Sequence, residues 1–146
     1  MRDSVFDGGN FLTLLDHDIT VAETAVVYVG DGAGLGIGAG YLGLTAVFTY
    51  VADAATSVKA WVQTSLDGGV TWFDIANFAF ATTTLKKVAA VSTNIAATHA
   101  TPTDATLADN TINNGLLGDR VRVTLTTVGT YGVGTSLKIT GVAKKN

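Results

Sequence analysis

The chain has 146 residues and no cysteine, a single proline, one methionine and two histidines. Without cysteine there is no disulfide framework, no thiolate zinc site and no thiol nucleophile. Charge is also scarce: 14% of residues are Asp, Glu, Lys or Arg, against roughly 25% in an average soluble protein. Nine basic residues face twelve acidic ones, a net charge of −3. That balance argues against the basic face of a phosphate-backbone binder, so no nucleic-acid partner is expected. No stretch reaches the ~18 uninterrupted apolar residues of a membrane helix, so no membrane partner is expected either. The opening MRDSVFDGG lacks the basic start and apolar run of a signal peptide, which predicts cytoplasmic synthesis. Helical signals are missing too: no segment combines length, caps and a 3.6-residue period, and a short helix around Ala52–Thr56 is the one the pattern allows.

What is present is a two-residue period. In Arg120–Thr127, Val121, Val123 and Leu125 fall on one face, and Arg120, Arg122, Thr124 and Thr126 on the other. This is the mark of a half-buried antiparallel strand. Leu137 and Ile139 alternate with Ser136, Lys138 and Thr140 in the same way, which predicts a terminal hairpin across the Gly-rich reversal VGTYGVG. Further strands are predicted over Phe11–Leu15, Thr24–Val29, Leu44–Val51, Ser57–Thr64, Thr71–Phe80 and Leu85–Val91. About eight short strands with turn residues between them predict an all-β fold, a single antiparallel β-sandwich domain spanning residues 1–146. Hydrophobic residues make up 47% of the chain and mean hydropathy is +0.37. So apolar a surface predicts burial against partners, in a three-fold assembly rather than a lone monomer.

Two segments interrupt the alternation. One is the glycine-rich Gly30–Gly40, with Gly34 at its centre; the other is Ser92–Asp119, one long loop that carries Pro102. A loop of ~28 residues is longer than compact domains usually tolerate without a use. Both are predicted to contact a partner, through backbone bared at Gly30, Gly34 and Gly40 and through the apolar anchors Ile112, Leu116 and Leu117.

Chemistry-bearing motifs are few. GAGYLG, Gly38–Gly43, matches G-x-G-x-x-G, yet the alternating LTAVFTYV follows it where a dinucleotide site needs a helix. Asp16, His17 and Asp18 could in principle touch a cation, but adjacent residues on one strand rarely wrap a metal, and the segment reads as a solvated turn after FLTLL. No G-x-S-x-G nucleophile elbow occurs, and nothing in the spacing of eleven Asp and one Glu selects a glycosidase pair. No catalytic residue, cofactor, metal or small-molecule substrate is expected.

The sharpest local signal is SLDGGVTW, which resembles the Asp-box of sialidase propellers through Ser65, Asp67, Gly69, Thr71 and Trp72. The chain is too short for a propeller of ~40–50-residue blades. Its three arginines, Arg2, Arg120 and Arg122, do not resemble the sialidase arginine cluster. The motif is therefore expected to be a structural turn: Asp67 bonding its own backbone, glycines free to take positive φ, and Trp72 covering the turn. The segments Val58–Phe80 and Gly118–Asn146 further resemble small virion proteins of tailed bacteriophages. That resemblance implies a jelly-roll-like or other β-sandwich on the capsid surface, a decoration (cement) protein bound to the major capsid protein, commonly as a homotrimer and made in the host cytoplasm. A tail or head–tail joining protein is the alternative within the same particle. A carbohydrate-binding β-sandwich using Trp61, Trp72, Tyr41 or Tyr131 as stacking platforms is the alternative outside it, although core packing is the ordinary fate of both tryptophans.

Overall fold

The computed structural model describes residues 10–32, 35, 39–94 and 101–145. Eight strands form two four-stranded antiparallel sheets, and no helix occurs among the described residues: β1 (Asn10–Asp18), β2 (Glu23–Tyr28), β3 (Tyr41–Thr49), β4 (Ala55–Ser65), β5 (Phe73–Phe80), β6 (Leu85–Ser92), β7 (Arg120–Gly129) and β8 (Ser136–Lys144). The first sheet runs β1-β8-β3-β6 and the second β2-β7-β4-β5. The pairs β1·β8, β2·β7, β3·β6 and β4·β5 are those of one long hairpin turned at β4–β5. Rolling that hairpin adds the contacts β3·β8 and β4·β7. Two sheets made this way are a jelly roll.

The alternation in the sequence builds the core. Leu42, Leu44, Ala46 and Phe48 of β3 and Leu137, Ile139 and Ala143 of β8 point inward from the first sheet. They meet Val58, Ala60 and Val62 of β4, Val121, Val123 and Leu125 of β7, and Phe78 and Phe80 of β5. Phe48 and Phe80 stack across the interior with ring centroids 5.0 Å apart. Each fully buried Val, Leu, Ile or Phe contributes about 1.5–3 kcal/mol, so this interior carries most of the stability.

Three expectations are corrected. β7 and β8 do not form a hairpin: they lie in different sheets. Val121, Val123 and Leu125 face Leu137 and Ile139 across the core, because alternation fixes a strand's buried face but not its neighbour. The connection is held by Tyr131, whose hydroxyl lies 2.7 Å from the carbonyls of Ser57 and Val128. Residues 52–56 are not helical, since β4 begins at Ala55. Asp16, His17 and Asp18 end β1 instead of forming a turn.

Sheet edges are managed by the chain itself. Along the free edge of β5, Asp74 N donates to Thr103 O, Asn77 N to Thr111 O and Asn113 N to Ile75 O. Residues 103–113 therefore act as a cover strand, which blocks edge-to-edge pairing with other molecules. On β1, Thr13 N donates to Asp31 Oδ2 and Thr13 O accepts from Asp31 N, each at 2.9 Å.

Candidate functional site

The Ser65–Trp72 turn joins β4 to β5. Asp67 Oδ1 accepts from Val70 N (3.1 Å), Thr71 N (2.8 Å) and Ser65 Oγ (2.8 Å), and its Oδ2 accepts from Thr71 Oγ1 (2.5 Å). Ser65 Oγ in turn accepts from Gly69 N (2.8 Å). The hydrogen bonds from Thr71, then that from Ser65, pull the Asp67 carboxyl down from 3.8 to about 2. Trp72 folds over the turn and donates from Nε1 to Gly69 O at 3.1 Å. Arg122 covers the indole, its guanidinium carbon 4.5 Å from the ring centroid. Both oxygens of the carboxylate accept from the turn's own donors, so the arrangement staples a hairpin. Leu66 and Val70 are left at the tip, 61% and 80% exposed.

A second polar centre lies beside it, on the outer face of the β2-β7-β4-β5 sheet. The fully buried Asp74 carboxylate collects five donors: Gln63 Nε2 (2.8 Å), Thr103 Oγ1 (2.9 Å), Ala105 N (2.9 Å), Thr106 N (3.0 Å) and Leu107 N (3.0 Å). Gln63 is completely used: its Nε2 also donates to Asp104, and its Oε1 accepts from Arg122 Nε and Thr124 Oγ1. Trp61 is buried on this outer face, beneath the loop and not in the sandwich core, with Nε1 donating to Leu107 O at 3.0 Å. A buried carboxylate persists when paired and hydrogen-bonded, and here its partners are the loop's own amides. Asp74 and Gln63 were not singled out from the sequence. Two polar residues at the non-core positions of β4 and β5, followed by a long loop, were the available signal.

The residues expected to contact a partner fall out differently. Gly34 lies outside the described residues. Gly30 has φ +52, and a Cβ there would stand 2.4 Å from Leu14 O; at Gly32 it would stand 1.9 Å from Val121 O. Gly40 N donates to Lys144 O, and Gly40 O accepts from Thr93 N. The close backbone approach that glycine permits is thus made to the chain's own β1, β7 and β8. Leu116 and Leu117 are half-buried and pack against the core, while Ile112, 39% exposed, bridges to Ala76 on the edge of β5. Within the described residues, these segments serve the sandwich they belong to.

The outer face of the β1-β8-β3-β6 sheet is the contrast. Its register lines up Phe11, Val142, Gly43 and Ala90 in one row, and Thr13, Thr140, Thr45 and Val88 in the next. Phe11 is 67% exposed and Val88 72%. The Tyr41 ring lies across Gly43, where a Cβ would stand 3.1 Å from its hydroxyl, and Val88, Val142 and Lys144 surround it. Charge is confined to the margins: Asp16, Lys138 and Lys86 share the row of Val47, and Lys144 sits over the Tyr41 ring at 4.9 Å. A solvated antiparallel face normally carries polar side chains; here one row is apolar and the next is three threonines and Val88.

At the β1–β2 corner His17 Nε2 lies 2.7 Å from Glu23 Oε2, and Tyr28 OH donates to Glu23 Oε1. Burial, reinforced by the Glu23 carboxylate, pushes the Tyr28 phenol up to about 12. Among the described residues no group of three or more His, Asp or Glu side chains is placed to hold a metal ion.

The fold and these sites define a jelly-roll β-sandwich domain. No protein-family model, curated protein or solved structure significantly matches the chain.

Proposed function

We propose that this protein is a non-enzymatic structural component of a tailed-bacteriophage virion, a decoration protein that binds the major capsid protein on the outside of the shell and stabilises it. The observation that carries the reading is the asymmetry of the two outer sheet faces. The β4–β5 side of one is covered by the chain's own loop, anchored on Asp74. The other presents two uncharged rows to solvent. Exposed apolar side chains grouped on one uncharged patch, Phe11 and Val88 among them, mark a contact site. Jelly rolls serve in viral capsids as well as in lectins and cupins, an analogy of fold that supports the reading without carrying it. The exposed valines of β2 and its flanks, Val21, Val26, Val27 and Val29, suit contacts between copies in a trimer.

The carbohydrate-binding alternative has less support. Trp61 and Tyr131 are buried, Trp72 carries Arg122 on its ring, and Tyr41 carries Lys144 on its own. A tail or head–tail joining role uses the same surfaces and differs in address.

Rebinding tests the proposal. Shells stripped of this protein should take it back and then withstand heat and osmotic shock better than bare shells. Protein that leaves the shells' resistance unchanged, or that turns over a glycoside, would refute it.

A further inference from the structure

We infer that the outer face of the β1-β8-β3-β6 sheet is the docking surface, and that its occupant is a repeating protein surface that offers apolar side chains ringed by carboxylates. The inference rests on the decoration reading and assigns the face by which it works. Lys86, Lys138 and Lys144 stand at the margins against two carboxylates, Asp16 and Asp18. The chain as a whole carries net charge −3, so basic charge is gathered around this face. The uncharged middle, where Phe11 and Val88 stand exposed, calls for apolar side chains on the partner. The lysine margin calls for acidic groups on the same partner.

A second copy docked face to face fits poorly, since each face carries three lysines and two carboxylates and the two would bring an excess of like charge together. Area points the same way. Four strands ~4.8 Å apart and about eight residues long at ~3.3 Å each cover roughly 500 Å². A stable one-to-one interface takes about 800 Å² per partner. A face of this size holds firmly when many copies bind one lattice and each is secured by its neighbours. An ordered shell meets that condition.

The test uses the full chain and stripped shells of the particle it comes from. Co-sedimentation is measured for wild type, for the triple variant K86E/K138E/K144E, for Val88→Glu, and for Leu66→Ser at the far hairpin tip as a control. Thermal midpoints are compared in parallel. The triple variant changes only exposed charges, so it keeps the test valid if Val88→Glu folds poorly. Both face variants should lose at least tenfold in apparent affinity, Leu66→Ser should stay within twofold, and wild-type binding should weaken as salt rises. Wild-type binding with the face variants unaffected overturns the assignment and leaves the decoration reading standing. Wild type that does not bind overturns both. Face variants that split an oligomer into monomers yet still bind shells would make this a contact between copies, and also overturn it.

Discussion

Replacing Asp74 with alanine removes the acceptor on which the long loop is hung. Five donors converge on that carboxylate, three of them consecutive amides from Ala105 to Leu107. Each hydrogen bond to a charged group contributes about 1.5–3 kcal/mol, and each buried donor left without a partner costs about 1–3 kcal/mol. A simple sum overstates the loss, because the loop can lift and let its amides reach water. What is then forfeited is the attachment itself, together with cover over Trp61 and the β5 edge. Removing one member of a buried charged network costs about 3–5 kcal/mol, and that is the expected loss here. A domain with about 5–15 kcal/mol in hand remains folded. With an m-value of about 2 kcal/mol/M in urea, the midpoint should fall by roughly 2 M. Trp61 fluorescence should shift to the red, proteolysis should begin within 101–111, and hydrogen exchange should accelerate at the amides of Ala105, Thr106 and Leu107. Asp74→Asn separates hydrogen bonding from cavity formation, since it keeps the shape and should still lose most of the stability. A midpoint within about 0.5 M of wild type, with those amides still protected, would refute the claim that Asp74 anchors the loop.

Other consequences can be checked on the isolated protein. The Asp67 carboxyl should titrate near pH 2 by carbon NMR. Because its folded value is depressed, its stabilisation is present above 3.8 and fades as pH falls toward 2. The difference in thermal midpoint between wild type and Asp67→Ala should therefore be open at pH 6 and close across that window; a gap that persists at pH 2 counts against the staple. Gly32→Ala places a Cβ 1.9 Å from Val121 O, a clash with backbone that should cost about 3 kcal/mol or more, read as a fall in urea midpoint; an unchanged midpoint would show that β7 does not pack on this turn. Tyr28 should form phenolate at about pH 12, followed by ultraviolet absorbance, instead of at 10. Its stabilisation holds below pH 10 and is lost as pH rises through 12, and a normal titration would mean that the Glu23 contact is not held in solution.

The legible and illegible parts of this chain divide along one physical line. Alternation told which side of Val121, Val123 and Leu125 is buried, because burial depends on residues two apart in one strand. It did not tell that β7 pairs with β2 and β4 instead of β8, because neighbour choice depends on how a long hairpin rolls. Asp67 was readable because its partners lie within four residues. Asp74 was not, because its partners sit about thirty residues away in a loop that looks featureless. The glycine run beginning at Gly30 predicts close backbone approach to a partner, but glycine does not say whose backbone approaches; at Gly30 and Gly32 it is Leu14 and Val121 of the same chain. The bare sheet face was overlooked because its members, Phe11, Gly43, Val88 and Val142, belong to four strands and assemble only through register.

The measurement that bears most directly on the proposed function is a cryo-electron microscopy map of tailed-phage particles assembled from a genome that encodes this sequence, with protein content established by mass spectrometry. The account predicts this chain in stoichiometric amount on the exterior of the shell, its β1-β8-β3-β6 sheet against the major capsid protein and its Asp74-anchored loop facing away. Purified particles that lack the chain, or that hold it in the tail or at the connector, would contradict the decoration reading.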